Sequence, residues 1–477
     1  MSHRLWCFTF AAVRFSIHTL GYLLLLLVGT AVWWPQIVQQ GMYNDGLWYA
    51  AIARNWSVGV GDWWHPQLSA TFGAFVPHPP LVFWLEGSLF SLFGDQWWVE
   101  RWYSLLVSFA TVLAIRWLWR STVSADNRDW WWVVVVLWAV NEVVYNYYPN
   151  NLLDSTMALA ALLSVAFLLR KPRWSNTLAA MGFLVLALLA KGPVGLFPLA
   201  VPALRFCCFY EKNKPAYPIR ETLVQTGMLL VGVLLTVGLL WLTSAGFRDF
   251  ATAYYDIQIR GGLAGEQVYH ARTSRFYILG KLTTLLLPVG LLTAAVWGIH
   301  TRHLTAPPHY RRVLLWGLIG LSASVPLALS PKQTYYYLLA AMPYFYLAAG
   351  TLLVPSLRAL LPTRRQLVAG TVLLGAGMVV ALLFTHDSHE RIRGRHQTVL
   401  PDLQQLLPHL PPGSTVGSDE YGHTLLGYLA RLRRVSVDTS RTARPLYYLT
   451  RQPASVPPGY EVLPLDTRAY RLYRKAE

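Results

Sequence analysis

The segment Leu81-Val82-Phe83-Trp84-Leu85-Glu86-Gly87-Ser88-Leu89-Phe90-Ser91-Leu92-Phe93-Gly94 decides how the whole chain is threaded. It is apolar, but its 14 residues fall short of the roughly 20 that an α-helix needs to cross a bilayer. Elsewhere, apolar runs of spanning length lie near 15–38, 101–120, 130–147, 151–169, 175–190, 193–210, 223–246, 278–300, 313–330, 334–354 and 366–385. If 81–94 lies along the membrane surface instead of crossing it, five basic clusters share one face with the N-terminus. They are Arg116/Arg120/Arg128, Arg170/Lys171/Arg173, Arg205/Lys212/Lys214/Arg220, Arg302/Arg311/Arg312 and Arg358/Arg364/Arg365. Positive residues mark the cytoplasmic side. If 81–94 crossed, every later cluster would move outside. The consistent reading is an α-helical polytopic membrane protein with about eleven transmembrane helices, N-terminus in and C-terminus out.

Composition agrees. Across 477 residues, 54% are hydrophobic and only 13% charged, with a mean hydropathy of +0.36. Soluble domains carry about 25% charge. Collagen-like, disordered and disulfide-scaffold classes are excluded by the same figures. Cys7, Cys207 and Cys208 lack metal-ligand spacing, and the adjacent pair is poorly placed for a disulfide. The run from Phe15 to Val38 exceeds a signal-peptide core and has no convincing cleavage site, so it is expected to be an uncleaved first span.

A formal charge of +17 suggests, by itself, nucleic acid or another anionic partner. Allocation of the 40 basic residues changes that. Eighteen fall on the cytoplasmic side, thirteen lie in the outer tail beside nine acids, and nine remain on the outer face of the membrane region. The charge is mostly a topology signal, and no nucleic-acid partner is expected.

This threading divides the chain into a membrane domain, 1–385, with a large first outer loop at 39–100, and an outer domain at 386–477. In the tail, Thr415–Ser418, Arg434–Asp438, Pro445–Thr450, Tyr460–Asp466 and Tyr470–Arg474 read as strands. Leu400–Leu407 and Thr424–Ala430 read as helices, and Pro411-Pro412-Gly413 and Pro457-Pro458-Gly459 as turns. A small α/β domain follows. No internal repeat is visible.

Ionisable groups at membrane depth are expensive and mark function. Seven collect at the outer face: Asp45, His78, Asp154, Lys191, Arg260, His270 and Lys332. A carboxylate can accept a proton from an acceptor hydroxyl, and cations can hold a phosphate as it leaves. Trp63, Trp64, Tyr335, Tyr336 and Tyr337 offer faces to a sugar or lipid. Each residue also has a plainer reading. A helix-end Asp is usually a cap, interfacial lysines snorkel, a lone His is usually structural, and most interfacial tryptophans belong to the belt. Asn141 and Glu142 suit helix packing through hydrogen bonds. The coincidence at one leaflet outweighs any single member.

The ordered motifs resemble a known superfamily. They begin with Asn44-Asp45-Gly46-Leu47-Trp48-Tyr49-Ala50-Ala51-Ile52-Ala53-Arg54, then Gly61-Asp62-Trp63, Pro66, His78-Pro79-Pro80-Leu81, Trp84, Leu92-Phe93-Gly94 and Glu100-Arg101. Later come Leu153-Asp154, Ala190-Lys191-Gly192-Pro193, Ile259-Arg260, His270 before Phe276-Tyr277, and Pro331-Lys332 with Tyr337 and Pro343. The set resembles the GT-C glycosyltransferases, in particular the protein O-mannosyltransferase and aminoarabinose-lipid A transferase superfamily. The resemblance implies transfer of a sugar, with inversion, from a polyprenyl-phosphate carrier to a lipid A, glycan or protein acceptor outside the cytoplasmic membrane of a bacterium. It makes Asp45 the catalytic carboxylate, as base or to orient the acceptor, and adds Asp154, lining the same cavity, as a second catalytic residue. His78, Lys191, Arg260, His270, Lys332 and Tyr337 would bind the donor or its phosphate. Two positions depart from the pattern: Gly46 stands where many relatives carry a second acid, and Trp48 where a basic residue is common. They leave the sugar undetermined. Some relatives bind a divalent metal, for which His270 is the available ligand, but no ligand cluster supports one and no cofactor is firmly predicted. The alternatives are an oligosaccharide transferase or ligase of the same fold, and a transporter. A transporter predicts repeats and midplane polar groups, which the sequence lacks.

Overall fold

A computed structural model describes residues 17–39, 41–210, 218–265, 274–301, 309–360, 399–420, 422–440 and 444–476, with four isolated positions between 369 and 376. The membrane region is built of helices. Helix α1 (Ile17–Val28) continues through a π-helical stretch, Gly29–Trp33, to Val38. The first outer loop carries α2 (Asn44–Ser57) and α3 (Leu81–Phe93). Next come α4 (Val99–Thr122), α5 (Trp131–Ala139), α6 (Glu142–Tyr147), α7 (Leu153–Leu168), α8 (Trp174–Lys191) and α9 (Val201–Phe209). The remaining membrane helices are α10 (Ile219–Thr243), α11 (Ala245–Tyr254), α12 (Tyr277–Thr301), α13 (Tyr310–Ser324) and α14 (Met342–Leu360).

Ten of the eleven expected apolar segments fall on these helical elements; the eleventh, 366–385, lies outside the described residues but for those four positions. Six are continuous helices long and apolar enough to cross a membrane: 20–38, 99–122, 174–191, 219–243, 277–299 and 310–329. The others are interrupted, and the sequence explains where. Asn141 stops α5 and caps α6, its side chain accepting the Val143 amide at 3.1 Å, and it also donates to the Tyr346 hydroxyl at 2.7 Å. Pro149 and the left-handed Asn151 (φ 55°) then turn the chain by 109° into α7. Pro193 and Pro198 hold the entry to α9 as a 3₁₀ helix, because proline cannot donate to the α ladder. Helix α3 has 13 residues, about 20 Å at 1.5 Å per residue, against a hydrocarbon core of about 30 Å.

Helices α10 and α12 turn most of their apolar residues outward; only 22% and 17% of their best 18-residue windows are buried. Exposed Leu234, Leu242 and Leu291 are the surface that lipid solvates. Trp119, Trp138, Trp316 and Tyr344 fill the interior between helices. The chain is thus a multi-pass membrane protein.

The tail forms one five-stranded mixed sheet: β1 (Thr415–Gly417), β2 (Ser436–Asp438), β3 (Tyr447–Thr450), β4 (Tyr460–Val462) and β5 (Arg471–Lys475). The order is β2-β1-β3-β5-β4, parallel across β2-β1-β3 and antiparallel beyond. Two helices flank it, α15 (399–406) and α16 (His423–Arg433). All five expected strands form, each at or within two residues of its expected start. The buried Asp402 carboxylate takes the amides of Arg468, Ala469 and Tyr470 at 2.7–2.8 Å, tying α15 to β5.

Candidate active site

Asp45 lies in the first turn of α2, where the helix's free amides and dipole favour a negative charge. This turn is seated on the α6–α7 connection. The Tyr43 amide donates to Asn150 Oδ1 at 3.1 Å. Gly46 packs so close that a Cβ there would sit 2.1 Å from the Asn150 carbonyl oxygen. A second acid after Asp45 has no room, which accounts physically for the departure at Gly46. Beneath it, Asn151 donates to Glu86 Oε1 at 2.8 Å. Burial pushes the Glu86 carboxyl up to about 8.

The Tyr336 hydroxyl donates to Asp45 Oδ2 at 2.9 Å. Its neighbour, Tyr337, turns its ring to Lys191 Nζ, 4.5 Å from the ring centroid; the Tyr336 ring lies 5.4 Å from the same ammonium. Lys191, the last residue of α8, forms a buried ion pair with Asp154 in the first turn of α7. A lysine without aromatic faces or a carboxylate beside it would be costly at this depth.

A cavity of about 240 Å³ opens here. His78, Asp154, Lys191, Gln258, Lys332 and Tyr337, with Tyr254 and Ser330, supply its polar groups, and mostly aliphatic side chains line the rest. Lys332 Nζ donates to Gln258 Oε1 at 3.2 Å. Burial lowers the Lys332 ammonium below its ordinary range, and Lys191 lowers it further while Asp45 opposes. Burial, reinforced by Lys191 and Lys332, pushes the His78 imidazole well below its usual value. Two lysines, a histidine and the Asp154 carboxylate that pairs with Lys191 thus face a largely apolar wall.

Five of the eight expected site residues therefore line one cavity: His78, Asp154, Lys191, Lys332 and Tyr337. Asp45 joins it through the Tyr336-Tyr337 pair. Arg260 does not line it. It ends the π-helical turn Tyr255–Arg260, is exposed, and pairs with Asp256 at 3.5 Å. Residue His270 lies outside the described residues. Tyr336 and Tyr337, expected to offer faces to ligand, are mostly committed to the protein, packed among Tyr43, Tyr147 and Lys191. Sequence reasoning missed Gln258, whose only signal is its place two residues before Arg260. Among the described residues, no group of three His, Cys, Asp or Glu side chains is gathered to hold a metal.

Helices around a cavity, with a carboxylate-bearing first loop and a small C-terminal α/β domain, give the chain a GT-C fold, as its likeness to solved structures shows. Among solved structures, ArnT from Cupriavidus metallidurans bound to undecaprenyl phosphate superposes with a TM-score of 0.66 at 16% identity, over 96% of this chain and 98% of that one. Its apo state gives 0.64 at 15% identity, over 95% and 96%. The apo oligosaccharyltransferase of Archaeoglobus fulgidus gives 0.51 at 13% identity, over 88% of this chain and 64% of that one. No protein-family model matches the chain, and no curated protein sequence does.

Proposed function

We propose that the protein is an integral-membrane glycosyltransferase that moves a sugar from a polyprenyl-phosphate carrier to a hydroxyl of a lipid, glycan or protein acceptor, on the outer side of a bacterial cytoplasmic membrane. One observation carries this reading. A cavity with two lysines and a histidine adjoins a carboxylate at a helix N-terminus, joined to it by the Tyr336-Tyr337 pair. The solved ArnT, alike over nearly its whole length, is bound to undecaprenyl phosphate, and this supports a lipid phosphate as the anion.

In this reading Asp45 accepts the proton of the acceptor hydroxyl. The hydroxyl oxygen attacks the anomeric carbon from the face opposite the carrier, and the carbon–phosphate oxygen bond breaks. Configuration inverts. Lys191 and Lys332 stabilise the departing phosphate, which is electrostatic stabilisation of charge developing in the transition state. His78, held neutral by its surroundings, donates a hydrogen bond without adding charge. Asp154 holds Lys191 in place, and Tyr337 covers it. The resemblance assigns Arg260 and His270 to donor binding as well; for Arg260, exposed and paired with Asp256, that role requires its side chain to leave this pair. The N-terminus is then cytoplasmic and residues 386–477 form a periplasmic domain.

Comparison of envelope glycolipids and glycoproteins from a deletion strain and its parent by mass spectrometry tests this. Loss of one sugar mass from one acceptor class identifies both partners. Unchanged glycan masses in every fraction would remove the proposal.

A further inference from the structure

The outer domain touches the helix that carries Asp45 at both ends. At the near end, the Thr424 hydroxyl donates to Asn44 Oδ1 at 2.9 Å, one residue from Asp45. The Trp48 indole donates to the His423 carbonyl at 2.9 Å, and its ring packs on the His423 ring with centroids 5.2 Å apart. Between these points α16 runs so close to α2 that a Cβ on Gly427 would lie 2.9 Å from the Trp48 ring.

The far end is held by charge. Buried Arg54, in the last turn of α2, donates to the Ala430 and Arg431 carbonyls at 2.7 and 3.2 Å. Those carbonyls belong to the last turn of α16, where a cation complements the helix dipole. Arg54 also meets Asp95 at 2.8 Å. Arg431 returns the contact. It reaches both oxygens of Glu100 at 3.0 and 2.9 Å, Asp95 at 2.7 Å and the Gln96 carbonyl at 2.8 Å, over the Phe90 ring. Both guanidiniums are buried, and each is matched by carboxylates and carbonyls. Such a satisfied network fixes one geometry, because any slippage strands a buried charge. A small domain that merely covered the loop has no need of it.

We infer that helix α16 of the C-terminal domain is a second support that positions Asp45, beside the α6–α7 connection and Tyr336: Thr424 holds the first turn of α2, Trp48 the next, and the Arg431–Glu100–Asp95–Arg54 network its axis. Thr424 and Arg431 are positioning residues, acting through α2. The inference rests on the glycosyl-transfer reading for its consequence, not for its geometry.

Amide exchange of the full-length protein in detergent, followed across residues 44–50, tests it. Thr424→Val is expected to raise exchange there about fivefold, the worth of one hydrogen bond of about 1 kcal/mol, and Thr424→Ser to restore it. Binding of undecaprenyl phosphate stays at the wild-type level. The amount of sugar-modified acceptor in a complemented deletion strain falls with Thr424→Val and recovers with Thr424→Ser. Trp48→Phe removes the other near-end donor and carries the test should Thr424→Val fail to accumulate. If exchange at 44–50 matches wild type in Thr424→Val and Trp48→Phe, or rises only within 399–476, the domain is a tether and the inference falls. Faster exchange at 44–50 with no sugar transfer by wild type supports the clasp and defeats the reaction assigned to Asp45.

Discussion

Tyr336 donates its hydroxyl to the Asp45 carboxylate at 2.9 Å, and so joins the first outer loop to the segment preceding α14 across 291 residues of sequence. The bond holds one oxygen of the carboxylate; in the proposed reaction the other receives the incoming hydroxyl. Tyr336→Phe is expected to lower turnover by about tenfold, the worth of a hydrogen bond to a charged group, with undecaprenyl phosphate affinity unchanged. Steady-state kinetics beside a binding titration separates the two quantities. Equal turnover in the variant would show that the bond is incidental.

The Lys191–Asp154 pair is buried on both sides. Lys191→Met leaves Asp154 uncompensated, which costs about 3–5 kcal/mol. The variant is therefore expected to unfold at a markedly lower temperature. Lys191→Met combined with Asp154→Asn removes the stranded charge and is expected to recover much of that stability, but not binding of the carrier phosphate. Thermal unfolding in detergent reads the first effect, and a carrier titration the second.

His78 gives a pH signature. Its native pKa is lower than the 6.5 of a free imidazole. Below pH 6.5 the unfolded chain takes up a proton that the native site refuses, so native stability is lost as the pH falls from 6.5 toward the native value. Stability from this residue is fully present above 6.5. His78→Asn is expected to flatten that part of the curve, and the difference between wild type and variant in unfolding temperature from pH 8 to pH 5 isolates it. A parallel pair of curves would contradict the assignment.

Much of the helical membrane plan was legible in the sequence because it depends on the length and apolarity of runs. The short run at Leu81, the gathering of His78, Asp154, Lys191 and Lys332 at one end of the helices, and the tail strands need only local patterns. Contacts between distant segments are not written that way. Nothing near Tyr336 announces Asp45 as its partner, and nothing near Thr424 announces Asn44. Arg260 shows the converse. Its motif points to the site, but at the end of the π-helical turn its exposed side chain pairs with Asp256. Gly46 was visible only as a departure; its cause is the Asn150 carbonyl.

That cause is itself testable. Gly46→Ala forces a methyl against backbone, 2.1 Å from the Asn150 oxygen, and overpacking of this kind costs about 1–3 kcal/mol. The variant is expected to unfold earlier and to lose transfer, because the displaced turn bears Asp45. Wild-type stability and transfer would mean that the α6–α7 connection yields freely.

The central claim is that Asp45 takes the acceptor proton. Transfer from a labelled polyprenyl-phosphate sugar, measured in membranes with wild type and Asp45→Asn at matched expression, tests it most directly. The account predicts a loss of at least about a hundredfold, the usual contribution of a general base, with undecaprenyl phosphate still bound. Transfer at the wild-type rate by Asp45→Asn would contradict it.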